Sequence, residues 1–244
     1  MSTIKDRTAK MEFRLVSQIA GDQASRGVRS FVVQMFGTDS AGTTYALNIT
    51  GFEPYFYVKV PQEWDEDQIQ GFTDEVTFGL ERHSEDLTAV SIVERRKLYG
   101  FDQQTKHKFL RLRFRTEAAF KKAKTLWYSR GRGQRRLLPR GLTFDGSPTE
   151  LYEAHIPPLL RLFHKRQINP AGWVKVTNVT PLEKRSGKPR TLADVEGRVA
   201  WTDVTPIEAD DPVPYKICSF DIEASSSHGD FPLAKKTYAK LART

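Results

Sequence analysis

Residues Lys108 to Arg115 alternate without a break: Leu110, Leu112 and Phe114 fall on one side, Arg111, Arg113 and Arg115 on the other. Successive strand side chains point to opposite faces, so a period of two specifies a β-strand with one dry and one wet face. Such a strand must bury its apolar face against a second layer. Flanking segments offer helices for that layer. Ile69, Phe72, Val76 and Leu80 recur at helical spacing, with Asp65, Glu66 and Asp67 near the start, where acids suit a helix N-terminus. A second helix is expected from about Thr116, burying Phe120, Ala123 and Trp127 and ending near Gly131. Leu87 to Val93 and Leu142 to Phe144 are further strand candidates, and Tyr99-Gly100-Phe101 a turn. Residues 63–146 therefore read as a small α+β unit.

Residues 1–62 read as β-rich. Met11 to Leu15 alternates apolar and polar. Val28 to Phe36 and Thr43 to Ile49 flank the turn residues Gly37 to Gly42, which predicts a hairpin. After the break Gly51-Phe52-Glu53-Pro54, Tyr55 to Val60 forms an aromatic strand. Aromatics on a strand either pack across the sheet or stack bases, and packing is the expectation here.

Residues 147–208 mix helix and strand. Thr149 to Gln167 reads as a helix interrupted at Pro157-Pro158, with Tyr152 and Ile156 on the first piece and Leu159, Leu160 and Phe163 on the second. Trp173 to Val179 and Val199 to Val204 read as strands, with a basic loop from Pro181 to Arg190. His155 and His164 lack the spacing and the glutamate of a zinc helix. The acidic, proline-rich run Thr205 to Pro214 marks a boundary between residues 1–208 and a second domain from 213 to 244.

Charge is unevenly placed. Between Arg95 and Arg140 sixteen Lys and Arg face only Asp102 and Glu117, so this stretch carries +14 of a net +8 and the remainder −6. A basic middle in an acidic chain suits a polyanion, or a solvated basic face with no partner. Candidate phosphate contacts are Arg111, Arg113 and Arg115 on the strand and Arg130, Arg132, Arg135 and Arg136 in the following basic loop. Cys218 is the only cysteine, so an intramolecular disulfide or a cysteine zinc site is excluded. No apolar run approaches the roughly 18 residues of a membrane helix, and Met1 to Lys10 has no signal-peptide core. An intracellular protein with no membrane partner is expected.

Near the end, Tyr215 to Ala224 reads as a short buried strand carrying Asp221 and Glu223 on one face. Two carboxylates on a rigid strand can hold a hard divalent cation such as magnesium. The triplet alone is weak, since Asp194-Val195-Glu196 repeats it in a polar loop context.

Ser219-Phe220-Asp221-Ile222-Glu223 resembles the first exonuclease motif of family B DNA polymerases, and Gly229-Asp230-Phe231-Pro232 the segment that follows it in their delta-like branch. Gly51-Phe52-Glu53-Pro54-Tyr55-Phe56-Tyr57, Leu98-Tyr99-Gly100-Phe101, Phe109-Leu110, and Tyr152-Glu153-Ala154-His155-Ile156-Pro157 with Leu160-Arg161 and Gly172-Trp173 resemble upstream blocks of that family in order. Ala224 to Pro232 is most similar to polymerases of large DNA viruses.

The resemblance implies an α+β fold: a β-rich N-terminal domain with a small α+β unit, followed by the first strands of an RNase H-like exonuclease domain. It implies that Asp221 and Glu223 are catalytic ligands of two magnesium ions in a 3′→5′ proofreading site. The implied parent is a DNA-directed DNA polymerase acting on primer-template DNA and its single-stranded 3′ end, in a nucleus or at a viral replication site. The chain stops at Thr244, before the family's later acidic motifs and palm. The expectation is an amino-terminal piece that binds DNA, is inactive alone and needs the remainder of the polymerase as its partner. Two other readings stand beside it: a non-catalytic nucleic-acid-binding module, and a stand-alone RNase H-like nuclease.

Overall fold

A computed structural model describes residues 11–25, 27–97, 102–129, 136–182 and 191–219. The chain divides into two compact units, Met1–Val213 and Pro214–Thr244. The first is built on two sheets.

β1 (Met11–Ser25) and β2 (Val28–Thr38) form a long antiparallel hairpin, and β3 (Thr44–Thr50) continues it. β1 runs well past the alternation visible at Met11 to Leu15, because β2 offers a full ladder as far as Ser25↔Val28. The predicted hairpin of β2 and β3 is present. Asp39 holds its turn, accepting from the backbone N–H groups of Ala41 (3.0 Å) and Thr43 (2.8 Å). At the bulge between Leu15 and Ser17, Gly37 leaves room for the Phe13 ring, which stacks on Tyr45 at 4.7 Å. A Cβ on Gly37 would lie 2.3 Å from that ring and 2.4 Å from the Arg14 carbonyl oxygen.

β4 (Tyr55–Lys59) starts the second sheet. The expected helix follows as α1 (Glu66–Gly79), opened by a capping box between Asp65 and Gln68. β5 (Leu87–Arg96) and β6 (Lys106–Phe114) form a hairpin, and α2 (Glu117–Lys124) follows. α2 is shorter than its apolar pattern suggested: the chain tightens into a 3₁₀ turn at Thr125–Trp127, which still brings Trp127 into the core. The expected strand near Leu142 is β7 (Thr143–Phe144), paired with β8 (Ser147–Pro148).

The interrupted helix from Thr149 to Gln167 is a correction. Glu150–Tyr152 is a strand, β9, pairing with β4 through Tyr57↔Tyr152 and Lys59↔Glu150. The free edge of β4 supplies a ladder that outweighs local helix preference. Only the first helical piece is wrong: Pro157 and Pro158 must break or restart a helix, and here they start one, α3 (Pro158–Arg166), where a missing N–H costs nothing.

β10 (Trp173–Val176) pairs with β1, and β11 (Thr180–Pro181) with β12 (Val195–Ala200). The expected strand Val199–Val204 divides: Trp201–Asp203 turns between β12 and β13 (Val204–Ile207). β12 runs parallel to β3, completing the order β11-β12-β3-β2-β1-β10-β13. Glu196 is reassigned from a polar loop to β12, whereas Asp194 lies in the bend just before that strand. Asp194 accepts from the Thr44 hydroxyl (2.7 Å) and N–H (2.9 Å), bonds that hold its carboxyl below the usual range.

The second sheet has the order β5-β6-β4-β9, all antiparallel. Its inner face (Phe56, Val58, Leu110, Leu112, Phe114) packs on Phe72, Val76, Ala119, Phe120, Ala123 and Trp127. The seven-stranded sheet has its own core around Phe13, Phe31, Met35, Leu47 and Val174, closed by Leu162 and Phe163 of α3.

Asp22 at the far end of β1 couples the two cores. Its carboxylate accepts from the first free N–H groups of α2, Glu117 (2.6 Å) and Ala118 (2.9 Å), while Thr116 caps Ala119 (3.1 Å). Asp22→Ala is expected to cost about 1–2 kcal/mol, the range of a lost helix cap, read as a lower denaturant midpoint at unchanged slope. An unchanged midpoint would show that water replaces the cap fully.

Candidate nucleic-acid interface and metal-ligand strand

Arg111 and Arg113 project from the face of β6 opposite the core, as their alternation predicts, and Arg115 follows the last residue of the strand, but the three do not form an open row. Arg113 pairs with Glu53 (3.5 Å) and Arg115 with Asp86 (3.6 Å). Arg111 donates to the Ser91 hydroxyl (3.3 Å) and lies 5.9 Å from the Tyr55 ring centroid. Two of the three charges are thus already met by carboxylates. Sequence alternation shows which side a residue takes and says nothing of acids such as Glu53 and Asp86 that arrive from distant segments.

Of the loop arginines, Arg130, Arg132 and Arg135 lie outside the described residues. Arg136 is exposed, and its main chain closes a small turn: its N–H donates to the Ser129 hydroxyl (3.1 Å) and its carbonyl accepts from Ser129 N–H (2.8 Å). Its guanidinium is available to a phosphate.

The sequence did not flag Arg161. It is 6% exposed, ion-paired with Glu153 (2.6 Å), bonded to the Glu153 carbonyl (2.8 Å), and stacked over Tyr55 at 4.4 Å. Glu153 adopts φ +55 to make this pair. The cluster binds α3 to β4; Glu153 and Arg161 stand in one block of the sequence resemblance, but nothing local pairs them with Tyr55 on β4. Burial, with Tyr55 and Glu153 nearby, pushes the Tyr57 phenol above its usual pKa. At the other end of the sheet His107 meets Asp102 at 2.7 Å and holds that carboxyl below its ordinary value.

Asp221 and Glu223 lie outside the described residues, as does Phe220. The described start of their expected strand, Tyr215–Ser219, is exposed and belongs to no strand, with Ile217 87% exposed. An apolar run becomes a strand only with a neighbour to complete its ladder. Among the described residues no group of three or more His, Cys, Asp or Glu could hold a metal ion, and no helix is long and apolar enough to cross a membrane.

Residues 149–239 match the exonuclease domain of family B DNA polymerases. The match runs from β9 across both compact units and includes Asp221 and Glu223. A DNA polymerase of Phaeocystis pouchetii virus is 39% identical over 221 residues, covering 88% of this chain and 21% of the relative. The DNA polymerase delta catalytic subunit of Arabidopsis thaliana is 24% identical, over 84% of this chain and 19% of its own. The chain spans about a fifth of the length of these relatives. A solved family B DNA polymerase from the archaeon Pyrobaculum calidifontis superposes with TM-score 0.52 at 19% identity, covering 84% of this chain and 21% of that one, a likeness of fold. The α+β architecture, the similarity to viral and delta-type polymerases over most of the chain and the exonuclease match all point to the family B DNA polymerases.

Proposed function

We propose that this chain is the amino-terminal and exonuclease-entry portion of a replicative DNA-directed DNA polymerase with 3′→5′ proofreading. The observation that carries the reading is the single family match over residues 149–239, which includes Asp221 and Glu223, beside the similarity of 88% of the chain to a viral DNA polymerase. In the whole enzyme Asp221 and Glu223 would supply carboxylate oxygens to hard divalent cations such as magnesium. Bound there, such ions supply water activation and charge relief at the leaving oxygen. The protein's part is to present both carboxylates, one residue apart in sequence, to the 3′ end. Because the chain spans about a fifth of the length of its relatives, nuclease activity is read for the whole enzyme and DNA binding for the isolated 244 residues. Replication in a nucleus or at a viral replication site follows from the same reading, with primer-template DNA and the rest of the polymerase as partners.

The basic segment supports DNA binding through phosphate neutralisation. A fluorescent single strand titrated with the chain should bind at low salt and weaken about tenfold between about 50 and about 200 mM salt if roughly two or three phosphates are neutralised. Binding that ignores salt, or no binding at low salt, removes the basic surface from the reading.

A further inference from the structure

The geometry points to a docking edge that is independent of the nucleic-acid reading above: β5, at one border of the four-stranded sheet, pairs with β5 of a second copy of this chain, antiparallel about Ser91.

A strand that ends a sheet presents unpaired N–H and C=O groups, and folded proteins guard such edges with short strands, prolines or charges. Three of the four strands that end the two large sheets are guarded in this way. β9 has three residues, β11 has two including Pro181, and β13 has four including Pro206. β5 differs. It runs ten residues without a proline, and Thr88 to Val93 carries no charge. One side of it is laddered to β6. Among the described residues no backbone outside β6 bonds to Ala89 through Arg96. The nearest guard is Arg95, whose guanidinium donates to the Glu94 carbonyl at 2.9 Å, beyond the uncharged stretch.

Burial marks the same edge. Leu110 and Leu112 of β6 are buried on the helix-covered face. Their ladder partners on β5 are not: Val90 is half-buried, and Ile92 is 51% exposed. An added strand would cover these two side chains and satisfy the open ladder together, which is how extended segments dock on sheet edges.

Charge selects the occupant. Glu85 and Asp86 precede β5, while Arg95 and Arg96 end it and Lys97 follows. A second β5 laid parallel would set like charges side by side. Laid antiparallel, it sets the acidic end of each copy against the basic end of the other. A two-fold axis normal to the sheet produces that arrangement and keeps the helix-covered faces of both copies on one side, so the edge is complementary to itself. The register follows from the side chains. With Ser91 on the axis, Val90 of each copy opposes Ile92 of the other, Ala89 opposes Val93, and Thr88 opposes Glu94. Moving the axis to Val90 puts Ile92 against Thr88, where β5 bulges, and moving it to Ile92 puts Val90 against the Glu94 carboxylate. The paired sheet then runs β9-β4-β6-β5 in one copy and β5-β6-β4-β9 in the next.

One strand pair is a small interface, so association is weak and depends on concentration. The test is sedimentation equilibrium of the nuclease-treated 244-residue chain from about 5 to about 500 µM, a range suited to an interface of that size. The average mass is expected to rise from one chain toward two. Ile92→Lys places a charge on the edge at an exposed position and is expected to raise the dissociation constant about tenfold or more with an unchanged circular dichroism spectrum. Cysteine pairs fix the register. Cys218, which is exposed and the only native cysteine, is first replaced by serine. Ser91→Cys should then link two copies under mild oxidation, because residues facing each other across an antiparallel axis have Cα atoms about 4.5–5.5 Å apart, within disulfide reach. Glu94→Cys, which opposes Thr88, should not. A chain that stays single at every concentration leaves the edge to a strand of another protein and overturns the pairing of copies. A dimer that Ile92→Lys does not weaken overturns it as well. Should Ile92→Lys fail to fold, the cysteine variants decide: linkage through Ser91→Cys alone supports the inference, and linkage no faster than through Glu94→Cys overturns it.

Discussion

In the polymerase that contains this chain, Asp221→Asn should lower 3′→5′ exonuclease turnover on a mismatched primer by about a thousandfold, at the upper end of what removal of one transition-state charge contact costs. The substitution keeps the shape and removes the charge, so the ligand set loses an anion while packing is unchanged. DNA affinity of the 244-residue chain should stay within about twofold, because phosphate neutralisation by lysine and arginine does not pass through this residue. The pairing of outcomes separates a ligand from a structural acid. A structural acid would lower stability and activity together, while a ligand lowers activity alone. Asp194→Asn is the matched control, since Asp194 sits in the same Asp-x-Glu spelling yet is occupied by Thr44. Unchanged degradation of mismatched ends by Asp221→Asn would remove the residue from the metal site.

These two acids show what a sequence can and cannot reveal. Their spelling is identical, and only context divides them: Asp194 stands just before a strand whose partner, β3, lies 150 residues earlier. Short-range pattern recovered what short-range physics decides. The alternation of β6, the hairpin of β2 and β3, and α1 with its acidic start all follow from neighbours within a turn or two. Features set by distant partners were misread or missed. β9 looked helical because nothing local announces the free edge of β4, and β1 looked short because its outer half is held by β2. The strand arginines were placed on the right side of β6 by period, yet their carboxylate partners come from Glu53 and Asp86. The stacking of Arg161 on Tyr55 escaped for the same reason, as did the coupling of Asp22 to α2.

Trp127→Ala should be the most damaging single change in the first unit, costing about 3–5 kcal/mol, the range for truncating a large buried aromatic. Trp127 is fully buried at the point where four segments meet. Its ring packs edge-on against Phe56 of β4 at 6.1 Å and Phe72 of α1 at 6.3 Å. Its indole N–H donates to the Thr149 hydroxyl at 3.0 Å, and its carbonyl accepts from Leu138 at 2.9 Å. Thr149 is itself fully buried, donating from both its N–H (3.1 Å) and its hydroxyl to the Leu142 carbonyl. Gly141 closes this corner at φ +64, with no room for a Cβ beside the Thr149 carbonyl. Truncation therefore opens a cavity between sheet and helices and also loosens the loop that leads into β9. Trp127→Phe keeps most of the packing and gives up only the N–H bond. The Thr149 hydroxyl retains its own acceptor, so about 1–2 kcal/mol is expected, near the value of one hydrogen bond plus a small volume loss. Chemical denaturation followed by far-UV circular dichroism measures both variants. If the two substitutions cost the same, the hydrogen bond outweighs the ring and the aromatic packing of this core contributes little. If neither moves the midpoint, Trp127 is not part of the cooperative unit. A loss for Trp127→Ala several times that of Trp127→Phe assigns the stability of the small sheet to ring burial.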